Sequence, residues 1–247
     1  MERIAIFAAL RWECQPVLRQ LHQARRQRVA DFRVWRSTTS GREVWLMKTG
    51  VGAEHADRAA KTMSDTGQFT LFLSTGCAGA LAPELTPGDL TVATAVIGNG
   101  SGARFEADAA QRERLRHVAE RAALRTVVGP VLCSPHALTT VVEKRAAAER
   151  GAAAVEMEGA QIAARAAQAG IPFASVRAIL DTADMELPHA GRFIHEHSGA
   201  VKPLALAGYL VTHPSAVSEL LAMQRMMRAA QQSLERFFAA WFSTLDG

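Results

Sequence analysis

The chain has 247 residues, of which 49% are hydrophobic and 21% charged, so it is long enough for one well-filled domain and too apolar for extended disorder. Its 28 basic residues exceed its 24 acidic ones by only four, and its few aromatic residues are not interleaved with them, which argues against nucleic-acid binding. The N-terminus lacks a signal peptide pattern, and no stretch approaches the roughly 20 apolar residues of a membrane span. Three widely spaced cysteines favour neither a disulfide framework nor a zinc site, so we expect a cytoplasmic protein.

Short apolar runs alternate with helical patterns along the first half of the chain. The apolar runs predict strands at Ile4–Leu10, Phe32–Trp35, Val44–Lys48, Phe69–Thr75 and Asp89–Ile97, the second and third joined by a turn at Ser40-Gly41. Helical spacing predicts helices at Pro16–Arg26, Ala53–Met63 and Ala107–Ala123.

The second half continues this alternation and then changes character. Its apolar runs predict strands at Thr126–Cys133, Ala152–Met157 and Pro172–Ile179. Helical spacing between these runs predicts helices at Thr139–Arg150 and Gly159–Gln168. A loop with Pro188, His189, His195 and His197 leads to two helical patterns, one at Val201–Val211 and one after Pro214. The last pattern is rich in apolar residues, which favours a packing or subunit-interface helix; the alternative is a surface for an apolar substrate or a membrane.

The predicted strands are nearly continuous apolar runs, as expected for strands that are covered on both faces. Strands that alternate with helices predict an α/β fold with a central, mostly parallel, twisted sheet flanked by helices. We expect this domain to span residues 1–188 and a helical extension, residues 189–247, to pack on it.

Small residues and acids follow several predicted strands. Gly76-Cys77-Ala78-Gly79 ends one strand, and its backbone N–H groups suit a sugar or an anion, although such turns also serve tight packing. Glu13, Glu158 and Asp181 each lie at the carboxyl end of a predicted strand, where they are expected to converge on one cleft. Converging carboxylates suit a reaction with a cationic transition state, in which one acid protonates a leaving group and another handles water.

Three of these segments carry a family resemblance. Thr75–Gly79, followed by Gly88-Asp89-Leu90, resembles the central motif of the purine nucleoside phosphorylase and methylthioadenosine/adenosylhomocysteine nucleosidase superfamily. Val155–Ala160 is similar to its ribose-binding motif, and Val176–Asp184 to its catalytic strand and loop. Arg11-Trp12-Glu13, Asp184–Pro188 and the helical tail resemble the hopanoid-associated branch, which is thought to remove adenine from adenosylhopane.

The resemblance implies a nucleoside phosphorylase-like fold, a purine nucleoside as the substrate, and no metal or organic cofactor. Asp181 would protonate N7 of the leaving base, and Glu13 would orient and deprotonate water. Glu158 would bind the ribose hydroxyls, with Met157 against the sugar and Glu156 beside it. The remaining residues implied to line the substrate are Cys77, Ala78, Gly79 and Leu138. Members are usually dimers or higher oligomers.

Three positions depart from the nucleosidase pattern. Leu180 stands where Ser usually precedes the catalytic Asp, so a hydrogen bond that orients Asp181 is expected to be missing. Cys77 replaces a Ser of the turn, and Leu138 replaces a Phe against the purine. These changes favour a relative with another substrate over an ordinary methylthioadenosine enzyme.

Water or phosphate is the open question about the nucleophile. Phosphorylases of this superfamily carry a Gly-Asp-Pro-x-Arg motif near the first strand, whereas this chain has Ala9–Glu13. A glutamate at that place would repel phosphate, which favours hydrolysis, although Arg11 leaves phosphorolysis open. A nucleoside-binding protein without turnover is the rival of another class. The loop histidines are spaced poorly for a metal site.

Overall fold

A computed structural model describes residues 2–39, 41–98, 102–187 and 216–245. This part contains ten strands: β1 Arg3–Ala8, β2 Arg25–Val29, β3 Phe32–Thr39, β4 Arg42–Lys48, β5 Leu71–Ala80, β6 Leu90–Gly98, β7 Arg104–Glu106, β8 Thr126–Cys133, β9 Ala154–Glu156 and β10 Phe173–Asp181. Its six helices are α1 Arg11–Leu18, α2 Ala53–Thr66, α3 Ala109–Arg121, α4 Val141–Ala148, α5 Gly159–Gln168 and α6 Ala216–Ser243. The predicted helix at Val201–Val211 and the loop histidines lie outside the described residues.

The strands form one sheet in the order β10-β6-β8-β9-β5-β1-β4-β3-β2, with β7 beside β6. The long strand β5 also pairs with β10, so five strands close into a ring. β5 pairs with β1 over Leu71–Ser74 and with β9 only at Gly79 and Ala80. This divergence of β1 and β9 along β5 opens the sheet at the carboxyl end of β5.

The expected α/β class is confirmed, but the sheet is mixed rather than mostly parallel. Five of the ten described pairings are parallel and five antiparallel. The β2–β3–β4 meander supplies two antiparallel pairings, which short connections allow. The inner strands β4, β1, β5 and β10 are parallel, and their carboxyl ends meet at one edge.

The helix predicted at Pro16–Arg26 is wrong in its second half. α1 already ends at Leu18, and Arg25–Val29 is the edge strand β2, paired antiparallel with β3. The Arg-rich sequence of β2 carries no apolar strand signal, because an edge strand that faces solvent needs little apolar surface. The three-residue strand β7 was also not predicted.

Helices cover both faces of the sheet. α1, α3 and α6 pack on one face, and α2 and α5 on the other. α2 packs on the sheet through one face of the helix, on which its buried residues recur at helical spacing: Ala56, Ala59, Ala60 and Met63.

α6 belongs to the central core. Leu234, Phe237, Phe238 and Trp241 are fully buried and lie in one cluster with residues of β1, β4, β5 and β10. At these residues the apolar stripe of the helix is filled from within the chain, whereas Leu221, nearer the start of the helix, is 49% exposed. Among the described residues, no helix combines the length and the apolar character needed to cross a bilayer.

Candidate active site

Glu13 lies where β5 leaves β1, and its side chain bonds to the backbone on both sides of that gap. Its Oε1 accepts a hydrogen bond of 2.8 Å from the backbone N–H of Cys77, and its Oε2 accepts one of 2.9 Å from the N–H of Leu10. The second bond caps the first turn of α1. Burial raises the pKa of Glu13, although Cys77 and the charge of Arg177 oppose the rise. Glu13 is thus a buried carboxyl with the raised pKa that suits a general base.

Glu156, at the end of β9, is fully engaged by its own protein. Arg177 donates to its Oε2 at 2.5 Å, and the N–H groups of Glu158 and Gly159 donate to its oxygens at 2.8–3.0 Å. Arg177 also bonds the carbonyl of Thr75 and the hydroxyl of Ser74. Glu156 therefore orders the start of α5 and leaves little capacity for a substrate.

Glu158 lies directly after this anchor, and its side chain reaches towards α2. Its Oε1 accepts a hydrogen bond of 2.8 Å from the N–H of Gly52. Burial, and then the charge of Glu156, raise the pKa of Glu158 to about 8, against the charge of Arg177 and the bond from Gly52. Near neutral pH the carboxyl can therefore change its charge when a ligand binds.

Asp181 ends β10 at an irregular position. Ile179 pairs with Ala78 and Asp181 with the next residue, Gly79, so Leu180 is an extra residue in the ladder. A Cβ placed on Gly79 would lie 3.2 Å from Asp181 Oδ2, so the glycine allows this close approach.

Asp181 is held by Lys144, a residue of α4 that sequence analysis did not single out. Lys144 Nζ lies 2.5 Å from Asp181 Oδ2, and the two side chains are 1% and 4% exposed. Burial raises the pKa of Asp181, and the hydrogen bond and charge of Lys144 lower it, with a net rise.

The turn of β5 lies between these groups. The thiol of Cys77 is flanked by the charges of Glu13, Arg177 and Asp181, and burial with the two carboxylates raises its pKa well above the usual value. Cys77 is thus a neutral thiol rather than a nucleophile. Ala78 packs its side chain into a core cluster with Ile179, so its backbone is the part that remains to line a cleft.

Two further predicted residues differ in their surroundings. Met157 is half-buried between the buried residues Glu156 and Glu158, as expected for a side chain that faces a cleft. Leu138 packs against a separate apolar cluster that contains Leu81 and Leu132. Its contact with a purine stays a prediction.

Sequence reasoning missed the two buried cations, Arg177 and Lys144. Arg177 stands in an apolar strand and Lys144 in a charged helix, where its neighbours are solvent-exposed. A signal did exist for Arg177, because a lone charge inside a buried strand requires a buried partner. Among the described residues, no group of His, Cys, Asp and Glu is arranged to hold a metal ion.

The fold and these motifs define a class of nucleoside-cleaving enzymes. The family model of the phosphorylase superfamily matches residues 3–206, and the chain belongs to this superfamily. The resemblance drawn from the motifs is thereby confirmed.

Curated and solved relatives agree with this assignment. The 5′-methylthioadenosine/S-adenosylhomocysteine nucleosidase of Geobacillus kaustophilus is 28% identical over 204 residues, which are 74% of this chain and 86% of the relative. The S-adenosylhomocysteine nucleosidase of Streptococcus pyogenes, solved in complex with 5-methylthiotubericidin, has a TM-score of 0.74 at 21% identity and covers 96% of this chain and 95% of its own. Futalosine hydrolase of Helicobacter pylori has a TM-score of 0.78 at 17% identity, with 98% of both chains covered. At these identities the solved structures show the fold alone.

Proposed function

We propose that the protein hydrolyses the N-glycosidic bond of a 5′-substituted adenine nucleoside and releases adenine. The observation that carries the proposal is a set of three buried carboxyls: Glu13 on the N–H of Cys77, Asp181 beside Gly79, and Glu158 on the N–H of Gly52, near enough to Glu13 for their charges to repel. The pKa of each of the three is raised, mainly by burial.

Asp181 is the proposed general acid. Its Oδ2 is bonded to Lys144, and Oδ1 has no hydrogen-bond partner among the described residues. Burial favours the protonated form of this carboxyl, whose proton would pass to N7 as the bond between C1′ and N9 breaks. The adenine then leaves as a neutral molecule.

Glu158 and Glu13 are proposed to act at the ribose, Glu158 by binding its hydroxyls and Glu13 by activating the attacking water. The developing positive charge on the sugar favours the charged form of Glu158, which can accept hydrogen bonds from the ribose hydroxyls. Glu13 takes a proton from water while the water oxygen forms a bond to C1′. The two backbone N–H donors keep the Glu13 carboxyl in one orientation for this step.

Charge near the cleft supports water as the nucleophile. The two buried cations of the described chain, Arg177 and Lys144, are each paired with a carboxylate. A phosphate would meet Glu13 and Glu158 without a free buried cation from these residues to balance them. Arg11, the residue that left phosphorolysis open, is solvent-exposed at the start of α1.

One observation favours phosphorolysis as the second candidate. A groove of about 380 Å³ borders the Thr49-Gly50 segment. Its walls carry five cationic side chains: Arg26, Arg28, Arg33, Lys48 and Arg58. Such a groove attracts anions, phosphate among them.

The 5′ substituent is proposed from sequence resemblance. The segments around Arg11–Glu13 and Asp184–Leu187 favour an adenosylhopane-like nucleoside, whereas the curated relative is named for two small thioethers. Leu138 in place of an aromatic residue fits a substrate that differs from those thioethers.

The test is adenine release from a panel of 5′-substituted adenosines, each with and without phosphate. The panel contains methylthioadenosine, adenosylhomocysteine and a long-chain apolar analogue in detergent. Release from the apolar analogue alone supports the hopane-type substrate, and fast release from the thioethers contradicts it. No release from any of them would point to a binding protein.

Glu13→Gln tests the nucleophile directly. We expect a rate about 100-fold lower without phosphate, because the amide cannot take a proton from water. Glu54→Gln, an exposed change at the start of α2, is the control and should leave the rate unchanged. A Glu13→Gln rate that phosphate restores to the wild-type value would favour phosphorolysis instead.

A further inference from the structure

Lys144 is a buried cation whose three donors are all used. Its side chain is 1% exposed, and Nζ donates to Asp181 Oδ2 at 2.5 Å and to the carbonyls of Thr182 and Met185 at 2.7 Å each. An ammonium has three N–H groups, so this geometry satisfies the charged form completely. Its position is therefore fixed relative to both Asp181 and the segment that follows it.

The helix that carries Lys144 is itself well anchored. Thr140 and Glu143 form a capping box at the start of α4, with each side chain bonded to the backbone of the other residue. The N–H of Leu187 donates to the carbonyl of Thr139 at 2.8 Å. The segment after β10 is thus fastened to α4 at Thr139 and at Lys144.

This arrangement leaves the two oxygens of Asp181 unequal. Oδ2 is held by the ammonium, while Oδ1 has no hydrogen-bond partner among the described residues. We propose that Lys144 is the positioning residue of the general acid: its ammonium fixes Oδ2 and presents Oδ1 to the leaving base. The inference rests on the proposed function and supplies the orienting hydrogen bond that Leu180 cannot provide.

The ammonium of Lys144 also stabilises the carboxylate that Asp181 becomes after it has given up its proton. The O–H bond at Oδ1 breaks, N7 of the base gains the proton, and the electron pair stays on the carboxylate, which Lys144 already faces. Lys144 keeps its three protons throughout. Lys144 thus lowers the energy of the charged product of proton transfer without itself touching the substrate.

Few other ionisable groups face this pair in the described chain. The Cys77 thiol faces Asp181 from β5, and Asp184 faces Lys144 from the segment after β10. The thiol stays neutral because its pKa is raised well above the usual value. Removal of the ammonium should therefore raise the pKa of Asp181, and the exposed Asp184 is the other described carboxyl whose pKa the ammonium lowers.

Lys144→Met tests the inference, with Arg145→Met as the matched control on the exposed side of α4. We expect kcat to fall about 10- to 100-fold with KM changed less than about three-fold. The limb in which activity falls with rising pH should move at least about one unit to higher pH, because Asp181 loses a cation that lowers its pKa. Arg145→Met should leave both quantities unchanged, and Lys144→Arg should keep the limb near its wild-type position.

A second readout needs no substrate. Infrared spectroscopy of protein with ¹³C-labelled aspartate follows the protonation of Asp181, with Asp181→Asn as the assignment blank. The midpoint should move to higher pH in Lys144→Met and in Lys144→Gln, which serves if the Met variant does not fold. An unmoved midpoint overturns the inference even where adenine is released. An absence of adenine release from the wild-type protein overturns the proposed function, and the infrared midpoint then still decides whether Lys144 controls Asp181.

Discussion

Two buried ion pairs border the cleft, Arg177–Glu156 and Lys144–Asp181, and they leave very different carboxylates behind. Both pairs have N···O distances of 2.5 Å and side chains at most 4% exposed. Glu156 receives two backbone N–H groups in addition to its cation. Asp181 receives its cation alone.

The difference shows that the number of hydrogen bonds a buried carboxylate already accepts from the protein indicates its role. A group whose lone pairs are all used stabilises the fold, and its loss leaves a buried cation unpaired. A group with one unbonded oxygen retains the capacity to exchange a proton with a ligand. The same pairing chemistry thus serves structure at the end of β9 and, in our proposal, catalysis at the end of β10.

The comparison is tested most strongly by Asp181→Asn. We expect the rate of base release to fall about 1,000-fold, since the leaving adenine loses its acid while the amide keeps the shape of the site. The free energy of unfolding should fall as well, because Lys144 stays buried without its charge partner, with only two backbone carbonyls left to accept from its ammonium. Rates of adenine release, with the exposed Asp65→Asn at the end of α2 as control, check this. Substantial activity in the Asp181 variant would overturn the assignment.

Glu156→Gln should affect stability far more than the rate. The free energy of unfolding should fall by about 3–5 kcal/mol, because Arg177 remains buried without its charge partner. Urea unfolding of this variant beside Glu149→Gln, an exposed change after α4, measures the loss. An unchanged unfolding midpoint would mean that a full set of accepted hydrogen bonds does not mark a structural carboxylate here.

Glu158→Gln tests the raised pKa of Glu158 through the pH dependence of the free energy of unfolding. The pKa of Glu158 rises from 4.5 to about 8 on folding, so the folded state binds this proton more tightly than the unfolded chain. Wild-type stability should therefore fall as pH rises from about 5 to about 9, whereas the Gln variant lacks this contribution. The stability of the Gln variant relative to the wild type should therefore rise by about 4 kcal/mol over this range. Parallel pH dependences in urea unfolding would contradict the raised pKa.

Two of the three carboxylates were predictable from a simple rule. Glu13 and Asp181 follow β1 and β10, which run parallel to β5, and the carboxyl ends of parallel strands lie at one edge of a sheet. Glu158 also follows an apolar run, but its strand β9 runs antiparallel to β5, so the rule does not explain its place. The α/β class followed from the same alternation of apolar runs and helical patterns.

The cations and the edge strands depend on information that is not local. Lys144 lies 37 residues before Asp181, and its sequence neighbours resemble any solvated helix. β2 forms because β3 offers it a partner, a tertiary condition that overrides the sequence pattern of its own residues. Which oxygen of Asp181 remains unbonded depends on these distant contacts in the same way.

The position of α6 has a consequence for how the chain acquires its structure during synthesis. Phe237, Phe238 and Trp241 cover a face of the sheet built partly from β1, whose residues leave the ribosome more than 200 positions earlier. α1 and α3 cover other parts of this face, but the part beneath α6 stays uncovered until residues 230–245 have emerged. Nascent chains that stop before this point should expose the apolar side of β1 and β10 and should be substrates for chaperones.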